Sequence, residues 1–290
     1  MSPTGSAEPS VVEVLGRLDE AAPGPRSLYY RWETEQWEAG ALVFAKDRAT
    51  WRGLDADRRT SIVAALGCFL VPDGRAGDLL VPFVDAVPNE EEQVFLTSQL
   101  ADEARAVVFC DRLTEEIFRT DQDRDARFRP NDCLRRLLDL AEPRADEVRV
   151  GRNAGPALHE GLLILGVILD GVLAPAIQRR LGKWLEEDGG FPGLTEGMRS
   201  LARDTSRHAH FSIRLLQEAL GDDALDERAS APGIEALIEE ALPLVRGVVD
   251  EAARMSNDFS GLPFGDAELS MEAMDCLALR MQDIGIDLPT

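Results

Sequence analysis

The chain has 290 residues, 44% of them hydrophobic, which is enough to enclose a core without disulfides or a structural metal. Asp and Glu outnumber Lys and Arg 53 to 31, leaving a net charge of −22. Such a surface repels nucleic-acid phosphates and anionic lipid faces, so neither partner is expected.

Residues 1–28 carry Pro3, Gly5, Pro9, Pro23, Gly24 and Pro25 around a short apolar patch from Val11 to Leu18. They read as a flexible arm with at most one short helix, followed by a single domain over residues 29–290. From Glu38 to Asp287 apolar residues recur every three or four positions, and no alternating strand pattern competes with them. The expected fold is all-α, with helices near 36–46, 56–71, 75–87, 89–119, 130–141, 153–181, 193–220, 232–258 and 270–284, broken by Pro, Gly and Asp-rich turns. The segments 89–119 and 153–181 are apolar over much of their circumference, as in Leu162 to Leu169, which marks the central helices of a bundle. Ser270 is a candidate N-cap and Gly285 a candidate stop for the last helix. Cys68, Cys110, Cys133 and Cys276 show no Cys-x-x-Cys spacing, so reduced thiols are expected. No signal-like start and no apolar run of about 18 residues is present, so a cytoplasmic protein without a membrane span is expected.

Two short stretches carry the chemistry. In carboxylate-bridged dimetal bundles, two helices give one Glu each and two give Glu-x-x-His, with both ligands on one helix face. Here Glu103 is followed three residues later by Ala106, and Thr205 is followed three residues later by His208. Each frame has kept one ligand and lost the other. Glu103 lies among Leu100, Val107 and Cys110 at helical spacing, which turns it inward. Glu160 sits after His159 and directly before Gly161-Leu162-Leu163, so it too reads as buried. Before the 75–87 helix, Val71-Pro72-Asp73-Gly74 offers Asp73 alone as a further carboxylate. The bland alternatives are exposed glutamates, a core His208 bonded to Asp204, and Cys110 as a small core residue. His210 projects about 200° from His208 and reads as a surface or secondary group.

In order and spacing, Asp47-Arg-Ala-Thr-Trp51, Leu96-Thr-Ser-Gln-Leu-Ala-Asp-Glu103, His159-Glu-Gly-Leu-Leu163 and Phe191-Pro-Gly-Leu-Thr-Glu-Gly197, leading into Asp204 and His208, resemble the ribonucleotide reductase small-subunit-like proteins. The resemblance spans roughly residues 37–220 and is nearest to their ligand-binding oxidase branch. It implies a ferritin-like bundle, a homodimer, a centre of iron or manganese, and an apolar tunnel for a long-chain ligand. Carried over by position, Glu103 is the bridging carboxylate, and Glu160 and His208 bind one metal of the pair. The half-site beside Ala106 lacks its His and, with Asp73 or Gly74 at the first-helix position, its own carboxylate. At most one metal per chain is therefore expected, with Asp204, Thr205, Ala106, Cys110 and Asp73 around it. The family's radical-forming Tyr, four residues after the ligand His, corresponds to Cys110, and the only tyrosines are Tyr29 and Tyr30. Reductase activity is not expected.

Two readings stay open. One is an oxidase or oxygenase of a small hydrophobic substrate, in specialised biosynthesis, with a depleted carboxylate/His site. The other is a metal-free descendant that binds a hydrophobic ligand or serves as a non-catalytic partner subunit.

Overall fold

The computed structural model describes residues 9–19, 22–71, 74–118, 131–152, 154–221, 231–258 and 266–286. Helices α1 (Val11–Gly16), α2 (Pro25–Thr34), α3 (Ala45–Gly53), α4 (Ala56–Gly67) and α5 (Arg75–Ala86) lead into α6 (Glu90–Leu113). Beyond them come α7 (Asp132–Arg149), α8 (Ala154–Leu162), α9 (Ala174–Asp188), α10 (Pro192–Leu220), α11 (Ala231–Asp258) and α12 (Asp266–Asp283). Between α8 and α9 the chain stays helical but widens into π turns over Leu163–Leu173, so that Ala154–Asp188 is one continuous rod. There is no strand among the described residues.

The rod sits in the middle, touching α5, α7, α10, α11 and α12. By composition it is apolar enough to cross a membrane, yet 83% of its most apolar window is buried inside the protein, as a core helix requires. Its glycines let α10 come close. A Cβ on Gly166 would overlap the Ser212 hydroxyl, and one on Gly171 would stand 3.6 Å from Ala209. Rising residue numbers on the rod thus meet falling ones on α10, and the two run antiparallel. The same holds for α6, where Phe95 stacks on Phe211 with centroids 4.3 Å apart and Phe109 packs on Gly197. It follows that α6 and the rod run in the same direction, with α10 reversed between them.

Local signals start these helices where the site needs them. Asn89 caps α6, accepting from the Glu92 N–H, and Glu90, Glu91 and Glu92 complement the positive end of the helix. The first turn of α10 is held by Asp47, which accepts from the N–H groups of Gly193 and Leu194 at 3.1 and 2.7 Å. Asp47 is fully buried, so the Asp47–Trp51 motif serves as the anchor of α10.

Four expectations are corrected. The stretch 36–46 is no helix: α2 ends at Thr34, a single 3-10 turn covers Ala39–Ala41 around Gly40, and α3 begins at Ala45. Val11 to Leu18 is no flexible arm, because Val11, Val14, Leu15 and Leu18 are buried, with α1 lying on α9 and α10 and Val11 seated over Gly182. Helix α7 runs past residue 141 to Arg149 through Pro143, since Leu134, Leu137, Leu138, Ala141 and Ala145 continue one buried stripe across it. Ser270 lies inside α12 rather than at its cap, whereas Gly285 does take the left-handed conformation, φ +76°, that ends the helix.

Candidate metal centre

Glu103 of α6, Asp170 of the π segment and His208 of α10 converge, each offering one ligand atom within 4.8 Å of the others. The His208 Nδ1 lies 3.4 Å from Asp170 Oδ2 and 3.9 Å from Glu103 Oε1. On the far side of the ring, Asp102 Oδ2 accepts from Nε2 at 3.0 Å. That bond fixes the ring and turns Nδ1 toward the two carboxylates, the arrangement in which an outer carboxylate orients a ligating imidazole.

Behind His208 lies a buried charge network. Arg207, 1% exposed, joins Asp102 and also Asp204, the latter at 3.0 Å. Arg105 reaches Asp102 at 3.0 Å, and its guanidinium lies 5.4 Å from the centre of the Trp37 ring. Two indoles complete the shell: Trp32 Nε1 donates to Asp102 at 2.9 Å and Trp37 Nε1 to Asp204 at 2.8 Å. These aspartates are therefore committed to Arg207, Arg105 and the tryptophans.

A cavity of about 80 Å³ adjoins the triad. Ala106 and Thr205 line it, as do Leu80, Leu165, Leu169 and Leu201, together with Glu103, Asp170 and His208 themselves. Glu103 and Asp170 keep 23% and 21% of their side-chain surface accessible, while His208 keeps 5%. The carboxylates thus face the opening and the imidazole is sealed behind them.

Among the sequence candidates, Glu103 and His208 are brought together, Ala106 and Thr205 form the neighbouring wall, and Asp204 anchors the network. Glu160 is not brought to them. Its Oε2 accepts from Arg144 Nε at 2.8 Å, and its carboxyl group fits against Gly233 of α11, where any Cβ would overlap it. Asp170 takes its place because the rod meets α10 with Gly166 beside Ser212 and Gly171 beside Ala209, which sets residue 170, and not residue 160, level with His208. A signal for it was present, since Asp170 is the one charged residue between Gly161 and Gln178. Cys110 is a buried core thiol and does not line the cavity. His210, expected nearer the surface, is 2% exposed. Asp73 lies outside the described residues.

The sequence profile described as ribonucleotide reductase, small chain, matches residues 23–263. The chain belongs to the ribonucleotide reductase small-chain family. Among solved structures it is similar to single-substitution variants of an R2-like ligand-binding oxidase. One with an aerobically reconstituted Mn/Fe cofactor shares 19% identity at a TM-score of 0.75, covering 90% of this chain and 93% of that one. Another, anaerobically reconstituted with Mn/Fe, shares 20% identity at a TM-score of 0.74 over the same proportions. Comparison with curated proteins returns no match.

The electrostatics of this small-chain family member follow from burial and the imidazole. Burial pushes the Glu103 carboxyl up to about 7 against the opposing pull of His208, with Asp170 and Asp102 adding repulsion. Asp204 rises to about 6, again chiefly through burial, with Asp102 adding repulsion. Burial works against the His208 imidazolium, but its bonds to Asp102 and Asp170 prevail and lift it to about 10. Asp102 is also burdened by burial, yet His208, Arg207 and Trp32 hold it below the usual carboxylate range. Raised values mean that the folded chain binds more protons than the unfolded one, so these groups make stability fall as pH rises. For Glu103 the window runs from its ordinary value of 4.5 to about 7, and for His208 from 6.5 to about 10. The melting temperature of EDTA-treated protein is expected to decline from pH 5 to 7 more steeply in wild type than in Glu103→Gln; parallel profiles would remove Glu103 from this role.

Proposed function

We propose that this protein is an oxidase- or oxygenase-type member of its family, acting on a small apolar molecule with one iron or manganese ion held by Glu103, Asp170 and His208. The observation that carries the reading is the set of two carboxylates and an imidazole, with Nδ1 turned inward by Asp102, opening onto an apolar cavity. Such an oxygen-rich donor set suits manganese or iron, and three protein ligands leave positions for other molecules. A bound ion of this kind would supply one-electron and dioxygen chemistry. The chain's own contribution is positional: Asp102 holds the Nε2 proton, the leucines exclude water, and Ala106 and Thr205 leave the space a substrate needs. On the Ala106 side, Arg207 already supplies positive charge to Asp102 and Asp204, which supports a single ion rather than a pair.

The test is oxygen uptake after aerobic reconstitution with Mn²⁺ or Fe²⁺, together with product analysis by mass spectrometry. Metal-dependent oxygen consumption that disappears in Asp170→Asn supports the reading; a metal-loaded protein that consumes none overturns it. One observation favours a second reading, a metal-free carrier. An imidazolium at His208, bonded to Asp102 and Asp170, balances the buried carboxylates without any ion.

A further inference from the structure

Tyrosine is scarce in this chain. Its only two, Tyr29 and Tyr30, are neighbours on α2, and they lie at the outer end of a line of contacts that leads to His208. Tyr30 is 57% exposed. Its ring centre is 6.3 Å from that of Tyr29, which in turn stacks on Trp32 at 5.6 Å with 27° between the planes. Trp32 Nε1 donates to Asp102 Oδ1, and the other oxygen of Asp102 meets His208 Nε2. Every link from solvent to the ligating imidazole is thus a ring contact or a hydrogen bond. The second indole–aspartate pair is not connected in this way. Asp204 takes Trp37, Arg207 and Arg105 and none of the three ligands, and the ring beside Trp37 is Phe109, a poor electron donor.

Both ends of the line suit removal of an electron. The Asp102 carboxylate beside the Trp32 N–H favours positive charge on the indole. The Glu33 carboxylate, one helical turn beyond Tyr29, sits beside its phenol and can take the phenolic proton. Tyr29 and Tyr30 also border a surface groove of about 730 Å³, wide enough to admit a small reductant. We propose that α2 provides a discharge path for the centre: when an ion there has been oxidised by dioxygen with no substrate in the cavity, Tyr29 gives it one electron through Trp32, Asp102 and His208. The phenolic proton passes to Glu33. The neutral phenoxyl left at Tyr29 is returned to phenol by one electron from a small reductant of the ascorbate or thiol class, and the proton comes back from Glu33. The oxidising equivalent ends at the surface and spares the side chains around the ion. This inference rests on reading the triad as a redox metal site, and its test separates the two.

Full-length protein loaded with Fe²⁺ under nitrogen, without substrate or reductant, is mixed with oxygenated buffer and frozen at intervals for electron paramagnetic resonance, while iron oxidation is followed by absorbance. A transient tyrosyl signal is expected, and ascorbate should abolish it. With two tyrosines in the chain, two variants assign the signal: it should be lost in Tyr29→Phe and kept in Tyr30→Phe, and neither change touches the Trp32–Asp102 bond. Trp32→Phe should lose the signal while iron is still oxidised; Trp32→Gln, which keeps an N–H for Asp102 and removes the ring, serves where Trp32→Phe does not hold iron. Peptide mass spectrometry of wild-type protein left without ascorbate should find hydroxylation at Tyr29. Iron oxidation with no tyrosyl signal, or a signal that survives Tyr29→Phe or loss of the Trp32 ring, overturns the path and leaves the centre intact. Failure of the wild type to bind or oxidise iron overturns the centre and the path together.

Discussion

Replacing His208 with Ala is expected to take the metal content of protein from manganese- and iron-supplemented cells from near one ion per chain to near none. His208 is the only nitrogen ligand in the triad, and without it Glu103 and Asp170 face each other across a site with no orienting group. Asp170→Asn should have a comparable effect, because a neutral amide is a poor substitute for a carboxylate on a hard cation. Glu160→Gln is the informative control. Its carboxylate is paired with Arg144 of α7 and is not among the converging ligands, so metal content should not change. Elemental analysis decides the matter: two ions per wild-type chain would contradict the single-ion site, and loss of metal in Glu160→Gln would contradict the ligand set. The double variant Ala106→His, Thr205→Glu adds an imidazole and a carboxylate to existing cavity space, at an overpacking cost of about 1–3 kcal/mol per site. A rise above one ion per chain is the expected result.

The second large effect concerns stability. Arg207→Met keeps the volume of the side chain and removes the charge that Asp102 and Asp204 share. Breaking a buried pair by deleting one partner costs about 3–5 kcal/mol, because the remaining charge is left uncompensated. In a domain of this size that corresponds to a fall in melting temperature on the order of 10 °C. Adding Asp204→Asn to the same chain should recover part of the loss, since one of the stranded carboxylates is then neutral. A fall of less than 2 °C in Arg207→Met would show that Arg105, Trp32 and Trp37 suffice to hold the two aspartates.

Much of this architecture was legible in the sequence because it rests on periodicity. The apolar stripes of α6, α10 and the long central rod announce themselves at three- and four-residue spacing, and so did the inward placement of Glu103 and His208. What periodicity does not carry is the register of one helix against another. Glu160 follows from the apolar run after it and from the family resemblance, whereas the packing of the rod on α10 sets Asp170 level with His208. The N-terminal misreading has a different origin. Pro and Gly around Val11–Leu18 describe the connections, while the burial of Val11 depends on Gly182, far away in sequence, which leaves room for it. Asp102 and Arg207 were passed over because each stands beside a more conspicuous neighbour. Their pairing joins two helices, and no local pattern reveals it.

The wide turns of Leu163–Leu173 also bear on how such a site changes in descent. Each π turn houses one residue more than an α turn, so the segment absorbs a gained or lost residue without displacing the helices at its ends. A single insertion or deletion there would move a carboxylate along the wall and leave the Arg144–Glu160 contact and α9 in place. Helices α6 and α10 are regular across the site and offer no such slack, because an indel would rotate everything beyond it. On those walls a lineage can only exchange one side chain for another at a fixed position. The three walls of one centre thus drift by two different routes, and the ligand on the π wall is the one whose sequence position is free to wander.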